Sequence, residues 1–323
     1  MAQPQDGGTR SLGPDSTAEE AAAGVDLTGR VAVVTGASGG LGEETARVLA
    51  ARGARVVMAA RSRARGEDAA ARIRDATPDA RLEVQELELA SPDSVRRFAA
   101  RVREAHPAIH LLVNNAGVMA CPLERTPEGF ELQFATNHLG HFLLTAELAP
   151  ALRAGAPARG VSVSSAGHRF SPVVFEDVHY RERPYDKWEA YGQSKTANVL
   201  FAVEADRRLG PHGVRVNALH PGAIVTDLGR HLTAEDRAAL QARAGTGSLR
   251  WKTVPQGAAT TLFAATAPEL EGRGGLYLED CAVAARSDDP AGSSGVMPWA
   301  LEPEAARRLF EISESMLGVR FPA

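Results

Sequence analysis

The chain has 323 residues, of which 44% are hydrophobic, enough for the core of one large α/β domain or two smaller ones. Its formal net charge of -4 gives no general reason to bind nucleic acid, and no run of about 18 apolar residues suggests a transmembrane segment. Only Cys121 and Cys281 are present, far apart and without metal-ligand spacing, which argues against a disulfide framework and a zinc site. We expect a cytoplasmic protein with reduced thiols and no metal.

The first 24 residues mix Gly, Ser, Pro, Asp, Glu and Ala without a strand pattern or a long amphipathic pattern. Such a composition predicts a disordered N-terminal tail over residues 1–24. Residues 25–323 are interpreted as a single catalytic domain.

Apolar, β-prone segments alternate with longer helix-like segments through this domain. The alternation predicts an α/β fold, namely a Rossmann-like, doubly wound, mostly seven-stranded parallel sheet flanked by helices. Strands are expected near residues 31–35, 55–60, 82–89, 110–114, 160–164, 214–219 and 275–278. In such a sheet, ligands bind beyond the C-terminal ends of the strands.

The first predicted strand leads into the sequence Thr-Gly-Ala-Ser-Gly-Gly-Leu-Gly at residues 35–42, and a helical pattern begins at Glu43. Glycines let the backbone come close to a pyrophosphate, whose charge the helix N-terminus then meets. The spacing Gly-x-x-x-Gly-x-Gly differs from the general dinucleotide fingerprint, and an ordinary glycine-rich turn is the alternative.

A second helix is predicted to start at Thr126 and Pro127, because a hydroxyl cap followed by proline is a typical helix N-terminus. This helix would carry Asn137. Asparagine is a modest helix former, so the alternative is a solvent-facing or locally hydrogen-bonded residue without a function.

Tyr191 and Lys195 are four residues apart and would share one face of a helix. A free phenol is a poor base, and moving its pKa from about 10 to near 7 requires roughly 4 kcal/mol of preferential stabilisation of the phenolate. The charge of Lys195 can supply this stabilisation, so the pair is a candidate acid-base catalyst. A plain surface helix is the alternative for this spacing alone.

Four motifs, in order and spacing, make the chain similar to the short-chain dehydrogenase/reductase superfamily over roughly residues 27–320. They are Thr35-Gly36-x-x-x-Gly40-x-Gly42, Asn114-Asn115-Ala116-Gly117, Ser164-Ser165 and Tyr191-x-x-x-Lys195. Finer features resemble its retinol dehydrogenase and WW-domain oxidoreductase-like branch, namely Asn137-His138-Leu139-Gly140-His141-Phe142, Ser164-Ser165-Ala166-Gly167-His168, and Trp299-Ala300 with Glu302-Pro303-Glu304. Retinol itself is not implied as the substrate, because substrate loops vary on a retained scaffold.

The resemblance implies a carbonyl reductase or alcohol dehydrogenase that moves a hydride between nicotinamide C4 and a substrate carbon. Tyr191 would donate the proton during reduction and accept it during oxidation, and Ser165 would hold the substrate oxygen. Lys195 would bind the nicotinamide ribose, and Asn137 would anchor a water-linked proton path to it. Ser164 is the fallback for Ser165, because neighbouring residues of a strand face opposite ways.

Further cofactor contacts are implied besides Tyr191 and Lys195. They are Gly36, Ser38, Gly40, Leu41 and Gly42 in the glycine loop, Leu89 by the adenine, Asn115, Ala116 and Gly117 along the cofactor, and Thr226 at the nicotinamide amide. The chain departs from many relatives at Glu88, where an aspartate is usual, and at Ser38 and Gly39, where Asn-Ser is common.

The choice of nicotinamide cofactor depends on the end of the second strand. An NAD-preferring relative usually has an acidic residue there, whereas this chain has Ala60 followed by Arg61. A guanidinium can pair with the 2′-phosphate that distinguishes NADP from NAD, so NADP(H) is the predicted cofactor. With Arg63 and Arg65 nearby, an ordinary exposed arginine is the alternative.

Two apolar stretches are predicted to line a pocket for a hydrophobic substrate, although core packing would also explain many of their residues. The first contains Phe170, Pro172, Val173, Val174, Phe175, Tyr180, Tyr185 and Trp188, and the second, a substrate-loop region at about 227–255, contains Leu228, Leu232, Leu240, Leu249 and Trp251.

Two other functions are weighed against the reductase. An epimerase or dehydratase of the extended superfamily usually has a different glycine spacing. A noncatalytic NADP-binding redox sensor or scaffold often lacks the catalytic tyrosine or lysine, both of which are present here. The resemblance also leaves open a homodimer or homotetramer formed through the helices with the Asn and Tyr motifs.

Overall fold

The structure is a computed structural model that describes residues 12–236, 238, 250–292 and 294–322. Within these residues, eight strands form the central sheet in the order β10-β9-β6-β5-β4-β1-β2-β3. They are β1 Val31–Thr35, β2 Arg55–Ala60, β3 Arg81–Glu86, β4 Leu111–Asn114, β5 Ala158–Val163, β6 Val214–His220, β9 Tyr277–Glu279 and β10 Ala282–Val283. A separate two-stranded sheet pairs β7 Ala223–Ile224 with β8 Trp251–Lys252.

The doubly wound parallel sheet predicted from the sequence is confirmed, and its seven predicted strands are all present. The number seven is wrong by one, because β10 adds to the edge antiparallel to β9. The turn between them places Asp280 and Cys281 at φ of 49° and 59°. A hairpin of this kind is usually signalled by Asn-Gly or Asp-Gly, and the Asp-Cys pair gives no such signal.

Helices cover both faces of the sheet. The longer ones are α2 Gly40–Ala51, α3 Arg63–Ala76, α4 Pro92–Ala105, α6 Gly140–Ala154, α7 Lys187–Leu209, α8 Val254–Thr266 and α9 Pro303–Leu317, with short pieces α1 Ala18–Ala21 and α5 Leu132–Phe134. Side-chain caps mark the N-termini of several helices. For example, the hydroxyls of Ser62 and Ser91 accept hydrogen bonds from backbone N–H groups in the first turns of α3 and α4. No helix of the described part of the chain is both long and apolar enough to cross a membrane.

The helix start predicted at Thr126 is wrong. Residues from Thr126 to Gly129 form a turn, in which the Gly129 N–H donates to the Thr126 carbonyl at 2.8 Å and Gly129 has a φ of 85°. The helix begins at Leu132 instead, where the buried Glu131 carboxylate accepts the N–H groups of Gln133 and Phe134. Gly129 has left-handed backbone angles and cannot be part of a right-handed helix. The predicted cap at Thr126 therefore starts no helix.

The predicted disordered tail is wrong for residues 12–24, and residues 1–11 lie outside the described residues. The helical turn α1 has a capping box between Thr17 and Glu20, and Ala18 and Ala21 are buried where α1 packs against α8 and α2. Burial of small apolar side chains therefore orders a segment whose composition resembles a linker.

The C-terminal helix α9 closes the face of the molecule formed by α6 and α7. Phe310 of α9 and Phe321 contact Phe142 of α6 and Phe201 of α7, with ring centroids 4.9 to 6.1 Å apart. This buried aromatic cluster fixes α7, which carries Tyr191 and Lys195, against the rest of the protein.

Candidate active site

One large cavity opens at the C-terminal ends of β1, β2, β4, β5 and β6, where a doubly wound sheet is expected to bind its ligand. Its volume is about 1040 Å³. Every residue predicted for the site lines this cavity except Asn137. The lining residues are Gly36, Ser38, Gly40, Leu41, Gly42, Arg61, Leu89, Asn115, Ala116, Gly117, Ser165, Tyr191, Lys195 and Thr226.

The glycine loop between β1 and α2 is shaped for close approach of a ligand to the backbone. Gly36 has a φ of 67°, which favours glycine. A Cβ added at Gly42 would lie only 2.3 Å from the Gly36 carbonyl oxygen, so the loop folds back onto the first turn of α2. The helix α2 begins at Gly40 without a side-chain cap, and the N-terminus of a helix favours an anion.

Thr35 and Asn115 hold this loop in place. The Thr35 hydroxyl oxygen accepts the N–H groups of Asn115 at 2.8 Å and Ala116 at 3.0 Å, and the Asn115 amide donates to the Thr35 carbonyl at 2.8 Å. The Asn115 side chain is thus engaged with β1, and its contribution to the cavity comes from its position next to Ala116 and Gly117.

Arg61 follows β2 directly and is exposed at one end of the cavity. Its two neighbours in the arginine-rich segment are paired, Arg63 with Glu67 at 3.7 Å and Arg65 with Asp227 at 2.8 Å. Over the described ranges no carboxylate forms an ion pair with Arg61. This guanidinium is therefore available to an anionic ligand.

The other predicted cofactor contacts lie around the same cavity. Leu89 is buried beside it, whereas Ser38 and Leu41 are half-buried in the glycine loop. Thr226 lies close to the glycine loop. A Cβ added at Gly40 would be 3.4 Å from the Thr226 methyl group.

The two serines after β5 face opposite ways, as strand alternation predicts. The Ser164 hydroxyl is buried and donates to the Lys195 carbonyl at 2.7 Å. Ser165 faces the cavity beside Tyr191: its hydroxyl accepts the Gly167 N–H at 3.0 Å, and a Cβ added at Gly167 would lie 2.7 Å from the Tyr191 ring and 3.3 Å from the Ser165 hydroxyl. The geometry thus pairs Ser165, and not Ser164, with the tyrosine.

Tyr191 and Lys195 both line the cavity on α7, and the ammonium nitrogen lies 5.7 Å from the centre of the tyrosine ring. Burial raises the pKa of Tyr191 to about 12, against the opposing effect of the Ser165 hydrogen bond. Burial also lowers the pKa of Lys195 to about 8, and its ammonium donates to the Val163 carbonyl at 3.0 Å. The causes of this shift are burial and Ser165, so a lowering of the tyrosine pKa by the Lys195 charge stays a prediction.

Asn137 lies behind the cavity wall in a π-helical segment, Ala135–Leu139, between α5 and α6. Its amide nitrogen donates to the Val118 carbonyl and to the Ser194 hydroxyl, both at 2.9 Å, and its amide oxygen accepts the Val118 N–H at 2.8 Å. Asn137 therefore contacts the chain next to Gly117 and next to Lys195, and not the cavity itself.

His141 joins this asparagine to the glycine loop. Burial lowers the pKa of His141 to about 4, so the ring is neutral at pH 7. Because a carbonyl only accepts, Nδ1 donates to the Asn137 carbonyl at 3.0 Å, which leaves Nε2 to accept the Thr35 hydroxyl at 2.9 Å. Sequence reasoning favoured a loop or substrate-pocket position for His141, which instead is buried in α6; its partner Thr35 lies 106 residues away in the chain.

The substrate end of the cavity differs in part from the prediction. Of the first predicted apolar stretch, only Phe170 and Trp188 line it, and the other residues pack elsewhere. Leu228, Leu232 and Trp251 of the second stretch line it, while Leu240 and Leu249 lie outside the described residues. Lining residues that the sequence did not indicate are Val118, Met119, Leu132, Arg169, Ile224, Val225, Pro290, Ala291, Gly292 and Ser294.

Residues 30–237 match a family model described as short chain dehydrogenase. The chain is 41% identical over 306 residues to retinol dehydrogenase 14 of Mus musculus, covering 91% of this chain and 87% of that protein. It is 45% identical over 302 residues to a probable oxidoreductase of Streptomyces antibioticus, covering 91% and 99% of the two chains.

Solved structures of similar fold cover most of the chain. A putative uncharacterized protein from Mycobacterium paratuberculosis has a TM-score of 0.71 at 36% identity, covering 94% of this chain and 98% of that one. A short chain dehydrogenase from Burkholderia cenocepacia, solved in complex with NADP, has a TM-score of 0.63 at 28% identity, covering 78% and 96%.

The glycine loop gives a direct test of the cofactor cradle. Gly42→Ala is expected to weaken binding of the nicotinamide cofactor at least about tenfold, because the new methyl group forces the loop away from Gly36. Gly39→Ala is the matched control: a Cβ there meets no protein atom within 4 Å, and cofactor affinity should stay within a few-fold of wild type. Fluorescence titration measures both. Equal affinities for the two variants would contradict this description of the loop.

Proposed function

Because the chain belongs to the short-chain dehydrogenase/reductase family, on its retinol dehydrogenase-like branch, we propose that it is an NADP(H)-dependent oxidoreductase acting on a hydrophobic carbonyl or alcohol. The observation that carries the proposal is that Tyr191 and Ser165 lie side by side in a cavity that also contains the glycine loop. Such an arrangement brings a proton donor and a dinucleotide cradle to one place.

The residues present fit a nicotinamide dinucleotide carrying a 2′-phosphate. The closely folded glycine loop and the N-terminus of α2 would hold the pyrophosphate. Arg61, Ser38 and Leu89 would surround the adenosine end, and Thr226 would meet the nicotinamide end. The availability of the Arg61 guanidinium supports NADP(H) over NAD(H).

The bound cofactor supplies or accepts the hydride, and the protein residues manage the proton and the substrate oxygen. Ser165 would hold the substrate oxygen by a hydrogen bond. Tyr191 would donate its phenolic proton to that oxygen during reduction and take it back during oxidation. With its pKa raised by burial, Tyr191 carries its proton at neutral pH, which suits the donor role.

Lys195 and Asn137 would support this proton transfer from behind the tyrosine. The Lys195 ammonium is buried close to the Tyr191 ring and stabilises the phenolate as the proton leaves. Asn137 would act as a positioning residue, because it contacts Ser194 and Val118 rather than the cavity. A water-linked path from Asn137 to Lys195 remains part of the proposal.

Apolar and aromatic side chains at the substrate end support a hydrophobic substrate. Phe170 and Trp188 lie edge to face with ring centroids 6.2 Å apart, and Leu232, Ile224 and Val118 add aliphatic surface. A cytoplasmic location is part of the proposal, supported by two buried free thiols.

A homodimer or homotetramer stays a prediction. Pairing through the exposed faces of α6 and α7 would have to accommodate α9, which covers part of that surface with Phe310. A noncatalytic NADP sensor remains the second candidate for the cavity, and turnover decides between the two functions.

Tyr191→Phe separates the enzyme from the sensor. Removing the phenolic oxygen is expected to lower turnover of hydrophobic aldehydes and ketones by at least about 1000-fold, because the proton donor is lost. NADPH affinity should change by no more than about threefold, since the ring remains. Nicotinamide absorbance and fluorescence titration measure these two quantities.

Tyr185→Phe is the matched control, because this half-buried phenol donates to the Cys121 carbonyl at 2.9 Å and does not line the cavity. It should keep turnover within a few-fold of wild type. Full turnover in Tyr191→Phe, or an equal loss in both variants, would contradict the role given to Tyr191.

Arg61→Ala tests the choice of cofactor. Loss of a charge-assisted contact to the 2′-phosphate is expected to weaken NADPH binding about 10- to 100-fold and to leave NADH affinity nearly unchanged. Arg63→Ala, which removes an exposed neighbour outside the cavity, should alter neither affinity. A wild type that prefers NADH, or an Arg61→Ala variant that weakens both cofactors equally, would overturn the NADP(H) assignment.

A further inference from the structure

A loop near the C-terminus forms one wall of the substrate end of the cavity. This wall loop consists of residues 286–292 and 294–297, after β10. Pro290, Ala291, Gly292 and Ser294 of the loop line the cavity. In the proposed function, the loop would meet the part of a substrate that extends beyond the reacting carbon.

Among the described residues, the backbone hydrogen bonds that join the wall loop to the neighbouring chain lie at its base. The Val296 N–H donates to the Ala285 carbonyl and the Ser287 N–H donates to the Val296 carbonyl, both at 2.9 Å. Nearer the tip, the Gly292 N–H donates to the Asp289 carbonyl at 3.1 Å in a single turn. Neither of these sets ties the tip to the rest of the protein.

The side chain of Arg169 supplies that tie. One terminal nitrogen donates to the Asp289 carbonyl at 2.6 Å and lies 3.4 Å from the Met297 sulfur. The other donates to the Gly295 carbonyl at 2.8 Å and to the Ser294 carbonyl. One guanidinium thus binds three backbone carbonyls of the loop.

Burying this guanidinium is costly. Arg169 is only 5% exposed, and within the described part of the chain no carboxylate lies within ion-pair distance of it. Its Nε has no hydrogen-bond partner. Burial of a charge carries a desolvation cost, which here is offset by hydrogen bonds to carbonyls of the wall loop and not by an ion pair.

Two neighbouring groups hold the same loop. The Glu279 carboxylate accepts the Gly295 N–H at 2.8 Å, and His168 Nε2 accepts the Met297 N–H at 3.1 Å. His168 also donates from Nδ1 to the Ser165 carbonyl at 2.7 Å. The wall loop is therefore fastened to the segment that begins at Ser165.

Arg169 belongs to the short 3-10 helix Ala166–Phe170 that directly follows Ser165. The next residue, Phe170, lines the cavity against Trp188. This 3-10 helix therefore connects three features of the site. They are Ser165 beside Tyr191, the aromatic wall formed by Phe170 and Trp188, and the wall loop.

We propose that Arg169 is a positioning residue that fixes the wall loop and so determines how well the cavity holds long apolar substrates. Its effect on substrates rests on the proposed function, whereas its effect on the loop does not. A short substrate that stays near Ser165 should not sense the loop, and a long alkyl chain should.

Hydrogen exchange tests the effect on the loop without turnover. In Arg169→Met, amides of residues 286–297 should exchange at least about tenfold faster than in wild type, while those of α7 keep their protection. Arg169→Lys retains one charge and should lie between the two. Arg159→Met is the matched control: Arg159 also donates to a backbone carbonyl, that of Ala267 at 2.8 Å, but lies away from the cavity.

Kinetics with NADPH and two aldehydes test the effect on substrates. Arg169→Met should raise the KM for decanal about 5- to 20-fold, with kcat and the KM for propanal within about twofold of wild type. If neither aldehyde is turned over, decanal and propanal affinities come from quenching of tryptophan fluorescence, since Trp188 lines the cavity.

The outcomes distinguish the role of Arg169 from the proposed function of the protein. Faster loop exchange with a selective loss for decanal supports the proposal, whether measured as KM or as affinity. Unchanged exchange in the loop overturns it, as does an equal loss for decanal and propanal, which indicates a general structural role for Arg169. Absence of turnover with a selective loss of decanal affinity contradicts the proposed function and retains the role of Arg169.

Discussion

The site depends on a reciprocal set of hydrogen bonds between the end of β5 and the middle of α7. Ser164 donates to the Lys195 carbonyl, and the Lys195 ammonium donates to the Val163 carbonyl, which also accepts the Asn198 amide. These bonds fix α7 against the strand in one register. Because neighbouring strand residues face opposite ways, anchoring Ser164 to α7 directs Ser165 into the cavity beside Tyr191. Burial of this junction then keeps the phenol protonated.

A second set of hydrogen bonds links the cofactor loop to the same centre. Thr35 accepts two backbone N–H groups from the segment after β4 and donates to His141, which donates to the Asn137 carbonyl. Asn137 in turn binds Ser194, the neighbour of Lys195. The neutral state of buried His141 makes its two nitrogens one donor and one acceptor, as this chain of bonds requires. The glycine loop and α7 are therefore held as one unit.

Sequence reasoning predicted what depends on local pattern. The parallel sheet follows from alternating apolar segments, and the cavity-lining glycine loop, Ser165, Tyr191 and Lys195 lie in short motifs. The start of α5 was misplaced for a local reason, because Gly129 is in the left-handed region and Glu131 supplies the cap. Elsewhere, sequence reasoning failed where long-range contacts decide. The order of residues 12–24 comes from packing on α8 and α2, and the role of Arg169 from carbonyls about 120 residues away. No local signal in the chain marks such contacts.

Single-turnover hydride transfer from NADPH, compared between Ser165→Ala and Ser164→Ala with a panel of hydrophobic aldehydes, tests the central claim most directly. The account predicts that Ser165→Ala slows the step at least about 100-fold with NADPH affinity intact, because the hydroxyl beside Tyr191 is lost. Ser164→Ala should slow it less than about tenfold, since that hydroxyl binds only the Lys195 carbonyl. A larger loss in Ser164→Ala than in Ser165→Ala would contradict the pairing of Ser165 with Tyr191 as the proton-transfer site.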